Sequence, residues 1–234
     1  MSVGADAPED GLDNPAWSAL SGPQAPIAER VGRAARYLPR LSAMAALADD
    51  DSAWADAARL PGARSLFVVA PPSPPPPGWI VRYEGVGIQM VAPDLEGEPD
   101  PGAIPLGAAD VVEMLDLVKR TRPGPFLPGT VEFGGYLGLR HEGALVAMAG
   151  ERLRVPGWTE ISAVCTAEEF RGQGLAARLT LAVAAAIRAR GDTPFLHATA
   201  NNVTAIRLYE SLGFQLRRDA IFVIARAPAG PPEP

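Results

Sequence analysis

The spacing of apolar positions changes several times along the chain, and each change predicts an element. Residues 15–60 read as helical, with Arg30, Arg33, Arg36 and Arg40 recurring every three or four positions on one helix face. Asp49, Asp50 and Asp51 end that pattern and can cap a second helix from Ser52 to Leu60. Leu66 to Ala70 has the β-branched character of a short strand, and the run Pro71-Pro72-Ser73-Pro74-Pro75-Pro76-Pro77 after it can only be extended and exposed. Trp79 to Tyr83 and Gly87 to Val91 predict two further short strands. The proline-rich, acidic stretch Ala92 to Pro105 is the best boundary in the chain, which divides it into an N-terminal α+β region, 1–98, and a second domain, 99–234.

From Ile104 the pattern is orderly. Asp110 can cap a helix carrying Val111, Met114, Leu115 and Val118 at helical spacing, which should stop before Pro123. The strands Tyr136 to Arg140 and Ala144 to Arg154 flank the turn His141-Glu142-Gly143, a hairpin signal, and Thr159 to Thr166 supplies a third strand. Leu175, Leu179, Ala182, Val183 and Ile187 mark a helix that Gly191 should terminate. A buried strand, Thr193 to Ala200, precedes a helix capped by Asn201 or Asn202 and ending at Gly213, and Phe214 to Arg226 gives one or two closing strands. Strands and helices in this order predict a mixed α/β sheet rather than a bundle or a sandwich.

Composition narrows the function. Apolar residues are 47% and charged residues 21% of the 234, ordinary for a soluble protein. Residues 1–98 hold seven arginines against thirteen acidic residues, whereas residues 99–234 balance, so the net charge of −6 is N-terminal. With no basic stripe, nucleic-acid binding is set aside, because phosphates demand clustered positive charge. Cys165 is the one cysteine, which excludes an intrachain disulfide and a cysteine-based zinc site; no metal is expected. Met1 to Asp10 shows no targeting pattern, and the longest apolar helical run, Leu179 to Ile187, is about half a bilayer span. A cytoplasmic protein without membrane contact is the expectation.

The chemistry concentrates in Arg171-Gly172-Gln173-Gly174-Leu175-Ala176, between a strand and a helix. Glycines there let the backbone approach a ligand, and the unpaired N–H groups of the helix start favour a phosphate. A dinucleotide fingerprint fits loosely through Gly172, Gly174 and Ala177, but the next strand ends in Ala200, Asn201 and Asn202 instead of the acidic ribose ligand, and too little chain follows for a second half. Arg171, Gly174 and Ala176 instead match the Gln/Arg-x-x-Gly-x-Gly/Ala signature of the GNAT superfamily of acyl-CoA-dependent N-acyltransferases. Asn202, Ala205, Leu208, Tyr209, Gly213 and Phe214 match its second segment, so the chain resembles this superfamily from about Ile104 to Arg226. Arg82-Tyr83-Glu84-Gly85-Val86-Gly87 also fits the first pattern, but no helix opens after it. A decayed copy of the same fold within residues 1–98 would rest on that match and the short strands around it.

The resemblance implies a mostly antiparallel mixed sheet flanked by helices, with acetyl-CoA as co-substrate. Its pyrophosphate would lie on N–H groups of Gly172, Gln173, Gly174, Leu175, Ala176 and Ala177, rimmed by Arg171. Its pantetheine arm would pair with Val164, Cys165 and Thr166, and the Val164 N–H would polarise the thioester; Asn202 and Tyr209 complete the cofactor site. Tyr209 is the implied acid for the departing thiolate. Glu160 is the implied base, with Ser162, Val164 and Thr166 on its strand face; its bland alternative is an ion pair with an arginine on the neighbouring strand. His197 is the competitor base, and Cys165 a core residue rather than a nucleophile. The resulting expectation is direct transfer of an acetyl group to a primary amine in a ternary complex, with a non-catalytic acyl-CoA-binding module as the alternative. The acceptor would meet the loop Thr121 to Gly129, where Arg122 suits a carboxylate; the chain could act as a homodimer.

Overall fold

The computed structural model describes residues 9–61 and 65–228; most of the segment read above for targeting, residues 1–8, lies outside them. The predicted helical stretch 15–60 breaks instead into two short helices with three strands between them. Only α1 (Pro15–Ser21) and α2 (Ala53–Ala58) are helical; β1 (Ala28–Val31), β2 (Ala34–Tyr37) and β3 (Met44–Leu47) lie between them. Two local breaks forbid the long helix. Gly32 sits at φ 51° in the β1–β2 turn, and Pro39 cannot continue a helix. β2 and β3 are buried at every position, so they carry no alternation to betray them, and their alanines imitate a helix. The four arginines consequently diverge. Arg30 stacks 4.9 Å over Trp17, buried Arg36 donates to the Pro61 carbonyl at 2.6 Å, and Arg40 pairs with Glu132.

Further along, β4 (Leu66–Val69) appears as expected, but the two predicted short strands are one, β5 (Ile80–Val91). The second domain then follows its sequence closely. β6 (Ile104–Pro105) leads to α3 (Val111–Thr121), which ends in the left-handed Arg122 at φ 52°, just before Pro123. β7 (Leu137–His141) and β8 (Ala144–Val155) form the hairpin across Glu142 and Gly143. β9 (Trp158–Thr166), α4 (Leu175–Ala189), β10 (Thr193–Thr199), α5 (Val203–Ser211) and β11 (Gln215–Arg226) complete the chain.

These strands make one sheet in the order β1-β2-β3-β4-β11-β5-β10-β9-β8-β7-β6. All neighbours are antiparallel except β3–β4 and β9–β10, which are parallel and joined through α2 and α4. The boundary read at 98/99 therefore divides the sequence but not the sheet: β5 comes from the N-terminal side yet lies between β10 and β11. Nothing in its own residues says which strands it will pair with.

The two faces are covered differently. On one, residues from β2, β3, β4, β5, β8, β9, β10 and β11 converge on α1 in a single cluster, so the sheet curls around that short helix. Gln24, just after α1, ties the arms of the curl together. It donates to the Arg152 carbonyl at 2.8 Å and accepts from the Arg154 N–H at 3.0 Å and the Tyr37 hydroxyl at 2.6 Å. On the other face, α4 and α5 cover Ile88, Met90, Ile161 and Leu196, while α2 covers Leu47, Leu66 and Val68. Leu179, Val183 and Ile187 of α4 are fully buried, each contributing about 2 kcal/mol of apolar burial. α3 packs on Met148 and α4 on Ala147 and Ala149, so these two helices clasp β8 from opposite sides.

Candidate active site

β9 and β10 pair from Trp158 with Thr193 to Ile161 with Leu196, and there they part. Beyond this fork β9 runs on from Ser162 to Thr166 against β8, while β10 runs on from His197 to Thr199 against β5. The parting coincides with a bulge. Ala163 has φ 54°, and the β8–β9 register slips between the Met148–Cys165 and Gly150–Ser162 pairs. The bulge also reverses the side-chain alternation. Ile161 and Val164 both pack under α4, whereas Cys165 turns to α3. Glu160 and Val164 thus lie on opposite faces, contrary to the simple alternation expected from sequence.

At the open end of β9, a 3-10 turn, Glu168–Phe170, leads into Arg171 and the glycines. Gly172 and Gly174 have φ 76° and 75°, and an added Cβ at either would meet nothing within 4 Å. They are glycines because of their backbone conformation, not because of crowding. Gly174 caps α4 without a side chain, so no side-chain acceptor covers the first N–H groups of a 15-residue helix. The positive end of α4 faces solvent beside Arg171, a geometry that suits an anion.

α5 starts at Asn202, whose side chain accepts from the Ala205 N–H at 3.2 Å. Two turns later Tyr209 is buried, its ring 5.8 Å from Phe214 and edge-on to it. One apolar cluster contains Tyr209 with Val164 at the end of β9, Leu175 at the start of α4 and Ala198 of β10. The two sequence segments therefore meet at the fork. Burial, with a smaller push from Cys165, raises the Tyr209 hydroxyl to about 12, so it holds its proton at neutral pH.

Glu160 is elsewhere in character. It is fully enclosed and receives both arms of the Arg152 guanidinium at 2.6 and 2.7 Å. His197 Nδ1 lies 2.7 Å away and the Leu153 N–H 3.4 Å away. Burial alone would push this carboxyl up; the Arg152 charge and hydrogen bonds, with His197, overcome it and hold it at about 2. With its oxygens occupied by Arg152 and His197 and none of its surface exposed, Glu160 does not fit the role of a base acting directly on an amine. The bland alternative, an ion pair across neighbouring strands, is what the fold contains.

That pair belongs to a longer chain of contacts missed from sequence. His197 Nε2 is 3.3 Å from the Gln89 amide; Gln89 in turn donates to the Leu12 carbonyl at 2.9 Å and accepts from Arg217, which reaches Asp13 at 2.8 Å. Arg152, Glu160, His197, Gln89 and Arg217 stand on β8, β9, β10, β5 and β11, neighbours in that order, and so stitch the sheet across the root of the fork. Only contacts far apart in sequence make this row, and no local spacing signals it. The Cys165 thiol is buried against Thr121 and Met148, and burial pushes it up to about 11, which removes it as a nucleophile.

The FR47-like protein family model matches residues 136–223, which span the hairpin, the fork and α5. A solved structure of a GNAT-family acetyltransferase from Novosphingobium aromaticivorans is 42% identical, covers 93% of this chain and 99% of its own, and superposes with a TM-score of 0.86. A GCN5-related N-acetyltransferase from Kribbella flavida is 17% identical over 97% of this chain and 98% of its own, with a TM-score of 0.59, a likeness of fold. No curated protein matches the chain.

Proposed function

The chain belongs to the GNAT family of acetyltransferases, and from that premise we propose that it moves an acetyl group from acetyl-CoA to a primary amine by direct transfer in a ternary complex. The observation that carries this reading is the convergence of the fork, the uncapped start of α4 and Tyr209 on one place. The residues fit CoA: backbone N–H groups from Gly172 to Ala177 and Arg171 would hold the pyrophosphate, and β9 from Val164 to Thr166 has an edge facing the fork for an extended arm. When bound, acetyl-CoA supplies an activated carbonyl. The bulge at Ala163 re-aims the backbone so that the Val164 N–H can support negative charge on that carbonyl oxygen. Tyr209 donates a proton to the sulfur. The amine proton leaves through water, since Glu160 and His197 are enclosed at the root of the fork.

Release of free CoA thiol with a panel of amines and peptides tests the reading, and Tyr209→Phe should lower kcat by roughly 10- to 100-fold. The enclosure of Glu160 favours one other reading, a module that binds acyl-CoA without turning it over; CoA binding without thiol release for any amine would establish it. We propose a reducing compartment such as the cytoplasm, which suits a chain whose single cysteine is buried and free.

A further inference from the structure

The strand order reads the same from both sides of the β11–β5 pair once β6 is set aside. β1, β2, β3, β4 and β5 correspond in turn to β7, β8, β9, β10 and β11, and the pair types agree throughout: two antiparallel pairs, one parallel pair, then an antiparallel pair to a strand of the other half. Two of the connections agree as well, although α5 between β10 and β11 has no counterpart between β4 and β5. Two-residue hairpins join β1 to β2 and β7 to β8, and a helix crosses from β3 to β4 as from β9 to β10. Even the ladder ends match: Ala34 opposite Leu47 is followed by Ala48 N–H to Arg33 at 2.8 Å, and Ala147 opposite Thr166 by Ala167 N–H to Val146 at 2.8 Å.

We infer that residues 28–91 are a second copy of the acetyltransferase fold that binds no CoA, and that it completes the binding copy by exchanging its last strand with it. The counterpart of the glycine loop is not Arg82 to Gly87, which lies within β5, but Ala48-Asp49-Asp50-Asp51-Ser52. Three carboxylates stand where an anion would sit, and Asp50 already occupies the Ser52 N–H at 2.8 Å. The helix behind them has six residues instead of 15. No bulge interrupts β2–β3, and β3 stays paired with β4 up to Ala45, two residues short of its end at Leu47, so that half has almost no fork.

The exchange gives the second copy its task. Past Leu196, β10 has lost β9 and is held by β5 alone, through His197–Gln89, Ala198–Ile88 and Thr199–Gly87. The outer arm of the CoA fork thus rests on a strand from the non-binding copy.

The CoA part of this inference rests on the proposed function, so the tests separate the two. Calorimetric titration of the intact protein with CoA should give one site per chain; two sites would overturn the non-binding assignment, while no binding at all would overturn the proposed function itself. A protease site placed at residues 95–99 and cut in the native protein should leave both pieces eluting together, and their separation without denaturant would refute the exchange. In Gly87→Val the new side chain would meet the Phe222 ring and the Ala198 carbonyl, at 2.8 Å from its Cβ. CoA affinity should fall at least tenfold; an unchanged affinity would refute the supporting role of β5, and if the variant does not fold, the cut protein carries the test.

Discussion

The two strand-to-helix junctions, Leu47 to Ala53 and Thr166 to Leu175, occupy corresponding places in the sheet and do opposite things. One puts three carboxylates at the start of a short helix; the other puts two left-handed glycines and an arginine at the start of a long one. The comparison teaches that the sheet topology alone gives no anion site. The features that would make one, and that set the second junction apart, are backbone: glycines that turn N–H groups outward, a helix long enough to sum its dipoles, and a bulge that opens the neighbouring strands.

The largest expected effect comes from breaking the active junction. Gly174→Val forces a β-branched residue to φ 75°, and the strained loop turns its N–H groups away; CoA affinity should drop on the order of a hundredfold in equilibrium dialysis. The change has room to fit, with nothing within 4 Å of the new Cβ, so folding should survive.

Comparable in size is Glu160→Gln, which strips the largely buried Arg152 of its counter-charge and should cost about 3 kcal/mol in urea unfolding. Glu160 in the folded protein lies near 2, below its ordinary value of 4.5, so its contribution is present above pH 4.5 and is lost as pH falls from there towards 2. The variant's stability curve should flatten across that window. The pH profile of kcat should keep its shape, and a vanished acid limb would instead reinstate Glu160 as the base.

Arg171→Ala removes one charge from the rim and leaves the backbone cradle, so CoA affinity should weaken by roughly tenfold, more at low salt than at high. The smallest effect sharpens the comparison from the other side. Neutralising Asp49, Asp50 and Asp51 together as asparagines should change CoA affinity less than about twofold, and stability by no more than about 0.5 kcal/mol, since these groups are surface-placed. A gain of a second CoA site on that change would show that the N-terminal junction lacks only charge.

How much of this was legible in the residues follows from distance along the chain. The helices α3, α4 and α5, the Glu142-Gly143 hairpin and the glycine loop all come from signals within a few neighbours: caps, apolar periods, residues that tolerate positive φ. The meeting of Arg171 to Ala176 with Asn202 to Phe214 has no such local signal; the family resemblance implied it. The N-terminal strands carry no such signal, because β2 and β3 are short, alanine-rich and buried on both faces, which leaves neither period visible. The reversal at Ala163 escaped because a bulge in a non-glycine residue depends on the partner strand.

By itself, then, the sequence determined the local devices: which turns carry N–H groups outward, where helices begin and end, and that Tyr209 shares a helix side with Asn202. Only the tertiary structure decided that β5 would cross into the other half, that Glu160 would spend its charge on Arg152 and His197, and that the strand order of the N-terminal half would mirror that of the C-terminal one. The reason is the range of the forces. A cap or a turn is set by a few adjacent dihedrals, whereas strand pairing and buried ion pairs are set by groups tens of residues away, whose choice of partner leaves no period in the chain.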